Sequence, residues 1–255
     1  MMLAFYMLKV IICSGILFGY YWFALRNKAF HQWNRFYLLI ITALSIVLPF
    51  IKISVTDKAP EAVRYITFSS LEETVVVNAR HRSYNFFTAE EWIFFGYALI
   101  CCVVFYFVLI ALKGILNILK HHPKQKVEQF YFIDSDAGGT PFSFFNYLVW
   151  NCHIDLHSPK GKLIFQHELA HMEQKHTWDK LFIIMLLIPC WVNPFFWLIR
   201  RELNDIHEFI ADKKALEGKD STALSQMILN ALYPQQQNIF YSPFFQSSIK
   251  RRIQI

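Results

Sequence analysis

From Trp92 to Leu112 the chain carries no charged side chain and consists almost wholly of aliphatic and aromatic residues. A helix of about twenty such residues, rising 1.5 Å per residue, reaches across the roughly 30 Å hydrocarbon core of a bilayer. A helix apolar on every face belongs either inside a large protein or in lipid, and a chain of 255 residues leaves little room for the first. Two more apolar runs precede it: residues 3–25, LAFYMLKVIICSGILFGYYWFAL, and Phe36 to about Ile53, which closes near Pro49 and Lys52. The first has no charged segment before it and no small-residue cleavage site after it, the pattern of a retained helix rather than a signal peptide. Lys9, about two turns in, can snorkel to a headgroup.

Composition agrees with three membrane helices. Hydrophobic residues make up 55% and charged residues 17% of the chain, whereas roughly a quarter of a globular chain is charged. Lipid-facing surface accounts for such a deficit. Arg26, Lys28 and Arg35 lie between the first two runs without an acid, and Lys113, Lys120, Lys124 and Lys126 follow the third. The intervening loop, residues 54–91, holds six acids against four bases. The positive-inside rule then sets the N-terminus and loop 54–91 outside, and everything after Lys113 in the cytoplasm of a multi-pass inner (cytoplasmic) membrane protein. The net charge of +6 is spread over loop ends, which argues for the bilayer as partner and against direct nucleic-acid binding. Five cysteines without CxxC spacing read as apolar filling. The expected organisation is a membrane domain over 1–120, with helices at about 3–25, 36–53 and 92–112, followed by a cytoplasm-facing domain over 121–255.

Residues 121–162 read as a small insert with strands in EQFYFI and FSFFNYLVW, separated by the turn cluster DSDAGGTP. The second of these is either a buried strand or an edge strand that pairs with an extended substrate. Tyr147 within it is a candidate for transition-state assistance. A further strand, ETVVVNA, is expected in the outer loop.

The chemistry enters at His167, where the chain reads HELAH. Residues four apart on a helix lie above one another, so His167 and His171 can hold one ion between them. Glu168, turned by about 100°, reaches a water on that ion. Zn²⁺ lowers the pKa of bound water to about 7, and a carboxylate can take its proton during attack on a peptide carbonyl. Glu168 is therefore the expected general base and one Zn²⁺ per chain the expected cofactor. A structural zinc in a catalytically idle transducer is the competing reading.

A catalytic zinc needs a third protein ligand and an open position. Glu208 is the candidate, with Asp212 one turn on placed to bond a ligating histidine and fix its tautomer. Alternatively the two acids form an exposed face balanced by Lys213 and Lys214. Were Leu181–Ile199 a fourth membrane crossing, His171 and Glu208 would stand on opposite sides of the bilayer. Pro189 and Asn193-Pro194 break helices, and the expectation is instead a membrane-dipping hairpin over 181–199. Its legs, about 27 Å from His171 to Pro189 and about 21 Å from Pro194 to Glu208, bring Glu208 back beside His171. It also keeps Arg200, Arg201, Lys213, Lys214 and Lys219 on the cytoplasmic side. His176 lies near but off the ligand face, in a supporting or capping role. His207 points elsewhere on its helix, either as a surface residue or toward an oxyanion. Asp179 is a candidate buried partner of a ligand. His121 and His122 read as solvated interface residues.

HELAH, QKHTWD, WVNPFFW and RRELNDIHEFIAD together resemble the membrane metallopeptidases of the BlaR/MecR type, the bacterial β-lactam sensor-transducers and their relatives. TPFSFF, HQWNRFYLL and IKRRI extend the likeness over nearly the whole chain, and the spelling with His176 and His207 looks most like a Bacteroidetes branch. The resemblance implies a mainly α fold: polytopic membrane helices plus a gluzincin-like zinc domain with a few strands and a hairpin carrying HExxH and ExxxD. It implies His167, His171 and Glu208 as ligands and Glu168 as base. It further implies a peptidase that cuts itself or a transcriptional repressor, an antirepressor in signal transduction, and it leaves a homodimer open. A housekeeping membrane protease would share the site and differ in partner. In the drug-sensing relatives a penicillin-binding domain follows the peptidase; none is recognisable within these 255 residues, and RRIQI reads as an interrupted sequence.

Overall fold

The computed structural model describes residues 2–26, 28, 30–51, 88–127 and 129–216. Almost all of the acidic loop, with ETVVVNA, lies outside the described residues, as do Lys219 and IKRRI. Three helices among the described residues are long and apolar enough to cross a membrane: Leu3–Leu25, His31–Phe50 and Glu91–His121.

Helix α1 (Met2–Tyr20) runs on into a π-helical turn, Tyr21–Leu25. After a short connection, α2 (His31–Val47) returns antiparallel to it and closes in a 3-10 turn at Leu48–Phe50, where Pro49 ends the regular helix. Tyr6 donates to the Ile46 carbonyl and Tyr37 to the Leu17 carbonyl, which fixes the pairing at both ends. The second helix thus starts five residues earlier than its apolar run. His31–Arg35, expected in the connection, form its first turns because Asn34 and Arg35 are buried rather than solvated. Asn34 donates to the Leu25 carbonyl, and Arg35 is satisfied by groups far along the chain.

Helix α3 spans Ala89–His121, well beyond 92–112. Thr88 and Glu91 form a reciprocal capping box at its start, satisfying backbone donors that a helix terminus leaves orphaned. Its 33 residues measure about 50 Å, more than a bilayer core needs. Leu119, near its end, accordingly packs on protein, against Ile133 and Val149.

The strands are β1 (Gln125–Val127), β2 (Phe130–Ser135), β3 (Phe142–Phe144) and β4 (Tyr147–Asn151), in the order β1-β2-β4-β3. β2 and β4 are parallel, with Ile133 opposite Val149, and the outer pairs are antiparallel. FSFFNYLVW is therefore two strands, not one. Its break falls at Phe145-Asn146, where Phe145 has φ 49°. That strained turn is held by the Thr177 hydroxyl, which accepts from the Phe145 N–H at 3.2 Å, and by Trp178, whose ring lies edge-on to Phe145 at 5.0 Å. Alternation along the strands gives the sheet two apolar faces: Ile133 and Val149 meet the end of α3, while Leu148 and Trp150 meet Met172 and Phe165 beyond.

Three helices complete the described chain: α4 (Pro159–Glu173), α5 (His176–Leu187) and α6 (Pro194–Leu216). Ser158 caps α4, accepting from the Gly161 N–H at 2.9 Å while donating to the Asp155 carbonyl at 2.6 Å. A single helix from His171 to Pro189 was expected, but α4 stops at Glu173. Lys175 takes a left-handed conformation, φ 55°, and α5 leaves in a new direction. The hairpin itself is present. α5 ends before Pro189, α6 starts at Pro194, and Asp179 faces His207 at 2.8 Å, so the legs run antiparallel. Its apolar sides fill a core with the first two membrane helices. Ile183, Leu187, Phe196, Ile199, Leu203, Ile206 and Ile210 pack with Val10, Phe18, Tyr21, Leu38 and Ile41. Arg26, 2.8 Å from Glu202, adds a partly buried ion pair between the α1 end and α6.

Candidate metal centre

α4 lies between the sheet and α6. Its inward face carries His167 and His171, one turn apart, and α6 presents Glu208 and Asp212 to them with the same spacing. His167 Nε2 and His171 Nε2 are 3.1 Å apart. Glu208 places Oε2 3.5 Å from the first and Oε1 3.6 Å from the second. All three side chains offer a ligand atom within 4.8 Å of the others. Ligand nitrogens on one tetrahedral Zn²⁺, each at about 2.0–2.1 Å, are separated by about 3.3 Å, so the spacing suits a single ion.

The far nitrogens are held as a metal site requires. His167 Nδ1 lies 3.0 Å from Asp212 Oδ1, and Asp212 is fully buried. His171 Nδ1 lies 2.8 Å from His176 Nδ1. Both partners leave the Nε2 atoms turned toward Glu208. This donor set of two imidazoles and a carboxylate, each imidazole oriented from behind, fits a zinc ion.

Charge in the site follows from burial and neighbours. Burial by itself would lower His167, but Asp212 and Glu208 beside it raise its pKa to about 10. His171, buried and next to a charged His167, is lowered to about 3. Glu168 is raised, chiefly by burial, against the opposing pull of His167 and a hydrogen bond from Ser143. A carboxyl so raised holds a proton more readily than a solvated one, as a general base that must return it requires.

His176 and His207 form a second layer. His176 opens α5 and is buried beside His171. His207 is fully buried, so it does not decorate the helix surface. The surface reading of His207 fails because α5 covers that side of α6. His207 Nε2 donates to Asp179 at 2.8 Å, and its ring stacks on His176 at 4.0 Å. Burial lowers the pKa of both rings. Asp179 is held below the ordinary carboxylate range, since bonds from His207 and Arg35 outweigh its burial. Tyr147 lies on the sheet face that meets α3, away from α4, stacked on Tyr131. His122 is half-buried and bonds Ser135 and the Ile118 carbonyl.

Sequence reasoning did not identify Ser143, Lys180 or Arg35. Ser143 sits on the edge strand β3, in TPFSFF. Lys180, about one turn past His176, acts electrostatically on Glu168, His171 and His207. A cavity of about 560 Å³ opens beside the site between α3, β3, α5 and α6. Phe107, Val108, Phe142, Phe144 and Leu181 line it, and His171 stands at its inner wall.

No curated protein matches the chain. Residues 151–255 match the family model described as BlaR1 peptidase M56. That segment contains HELAH, Glu208, Asp212 and the hairpin between them, so the part of the chain that carries the site is similar to the BlaR1-type peptidases.

Proposed function

We propose that the chain is a zinc metalloendopeptidase of the bacterial inner membrane, with its site on the cytoplasmic side, that cleaves itself or a cytoplasmic protein such as a transcriptional repressor. The observation that carries this reading is the convergence of His167, His171 and Glu208 within 4.8 Å. One Zn²⁺ held by these side chains supplies the Lewis acidity that activates water and polarises a peptide carbonyl. Glu168, whose carboxyl is raised by burial and aligned by Ser143, takes the proton of the attacking water and returns it to the leaving amine. Asp212 and His176 hold the imidazoles in register. Among the described residues β3 ends the sheet, an edge suited to pairing with an extended peptide, and the apolar cavity receives bulky side chains beside His171. The positive flanks of α1, α2 and α3 support the cytoplasmic orientation, and the M56 family supports the signalling role by likeness.

The test is metal analysis of the purified full chain together with self-cleavage and repressor cleavage by wild type and Glu168→Ala. The expected result is one zinc per chain in both and cleavage only in wild type. Zinc with no cleavage by wild type on any substrate would favour the idle transducer, and undiminished cleavage by Glu168→Ala would refute the mechanism.

A further inference from the structure

Arg35 is only 6% exposed, although it belongs to a helix long and apolar enough to cross a membrane. Its guanidinium makes three contacts on the catalytic side of the molecule. Nε donates to Asp179 Oδ2 at 2.5 Å, Nη2 to the Gln174 carbonyl at 2.6 Å and Nη1 to Gln174 Oε1 at 3.4 Å. Gln174 closes α4, three residues beyond His171. A helix leaves its last carbonyls without partners, and a cation there also meets the negative end of the helix dipole.

The other arm leads inward. Asp179 Oδ2 also accepts from His207 Nε2 at 2.8 Å, so the His207 proton stands on Nε2. The His207 ring lies flat on His176 at 4.0 Å and 19°. His176 Nδ1 is 2.8 Å from His171 Nδ1. With a metal at His171 Nε2, the imidazole proton stands on Nδ1 and is donated to His176. The tautomer and tilt of His171 therefore depend on where His176 sits, and His176 is located by the ring that Asp179 and Arg35 hold.

We propose that Arg35 is a positioning residue for the metal centre, by which membrane helix α2 holds both the carbonyl end of the HELAH helix and, through Asp179, His207 and His176, the ligand His171. The role requires a fork. Guanidinium reaches the carbonyl and the carboxylate together, whereas an ammonium offers a compact point charge. Removing the cation leaves Asp179 buried with His207 alone and the Gln174 carbonyl without its charged donor, a costly state. Arg26 supplies the comparison, because it ties a membrane helix to α6 through Glu202, six residues before the ligand Glu208.

This inference rests on the metal reading above. Full-length protein in nanodiscs, as wild type, Arg35→Gln, Arg35→Lys and Arg26→Gln, is compared for zinc affinity by chelator competition, for kcat and KM, and for thermal unfolding. Outer-layer losses weaken a metal about 10–100-fold, and Arg35→Gln is expected in that range, with kcat falling more than KM. Arg35→Lys should fall between it and wild type. Arg26→Gln should lower the unfolding temperature while leaving zinc affinity within about twofold. Wild-type zinc affinity in either folded Arg35 variant, or an equal loss in Arg26→Gln, overturns the proposal. If Arg35→Gln does not fold, the lysine variant decides. Wild type that takes up no zinc refutes the metal reading itself, a different result from wild type that binds zinc and variants that do so equally well.

Discussion

Gly161 lies in the first turn of α4, the helix that carries both histidines. A Cβ built there would stand 2.0 Å from the Asp155 carbonyl oxygen and 3.0 Å from both the Asp155 carbonyl carbon and Ser158 Oγ. A carbon approaches a carbonyl oxygen to about 3.3 Å at closest, so Gly161→Ala must move two pieces of backbone apart by more than 1 Å. No flexible side chain can absorb that shift. The turn gives way where Ser158 bonds Asp155 and the Gly161 N–H. Overpacking of this kind costs about 1–3 kcal/mol, and a lost N-cap about 1 kcal/mol more. Alanine's better helix propensity offsets about 1 kcal/mol. The net destabilisation is about 2 kcal/mol. For a chain of this size that lowers the unfolding temperature by about 4–8 °C. The assay is thermal unfolding in one detergent at a matched scan rate, with chelator competition for zinc alongside. Gly138→Ala, where a Cβ meets nothing within 4 Å, serves as the control and should change neither. Zinc affinity should fall in Gly161→Ala because His167 and His171 ride on the displaced helix. A variant that melts with or above wild type would show that the turn relaxes freely, and the reasoning would fail.

Other expectations concern the site and the core that carries it. Asp212→Asn leaves His167 Nδ1 facing a neutral amide, and zinc should dissociate about 10–100-fold more readily; unchanged affinity in a chelator titration would discount Asp212. In metal-free protein His167 is raised from 6.5 to about 10, so its contribution to stability is complete below about pH 6.5 and lost as pH rises through about 10. His171, lowered to about 3, has the opposite effect, a penalty that grows as pH falls from about 6.5 toward 3. Unfolding temperature of the zinc-free protein should therefore peak between these windows, and zinc affinity should climb from pH 7 to 9 as the proton on His167 ceases to compete. A flat affinity profile would contradict the assignment. Phe196 is fully buried among α1, α2, α5 and α6, and Phe196→Ala should cost about 3–5 kcal/mol, read as a loss of folded protein on denaturant titration.

Much of the site was legible because its chemistry is local. HELAH sets two imidazoles on one face by helical period alone, and Pro189 with Asn193-Pro194 marks where the chain must reverse. From those, Glu208 and Asp212 follow as residues at a computable distance from the reversal. What the sequence did not disclose depends on distant partners. Arg35 reads as a loop charge that orients a helix, because nothing near it in sequence announces Asp179, 144 residues away. His207 reads as a surface residue until α5 covers it. The left-handed Lys175 has no glycine or proline to mark it, so one helix was expected where there are two. Ser143 carries only a hydroxyl in an aromatic run, and its tie to Glu168 exists once β3 folds onto α4.

The core shared by α6 with the first two membrane helices also orders events in time. The ribosome delivers α1 and α2 first, whereas Glu208 and Asp212 emerge late, on a helix whose Phe196, Ile199, Leu203 and Ile206 find their partners on helices already in the bilayer. Until those partners are in place, the helix that carries the acidic half of the site lacks much of the apolar core that holds it. On the proposed peptidase function, the site is complete only after α1 and α2 are inserted, and cleavage followed during synthesis should begin with membrane insertion.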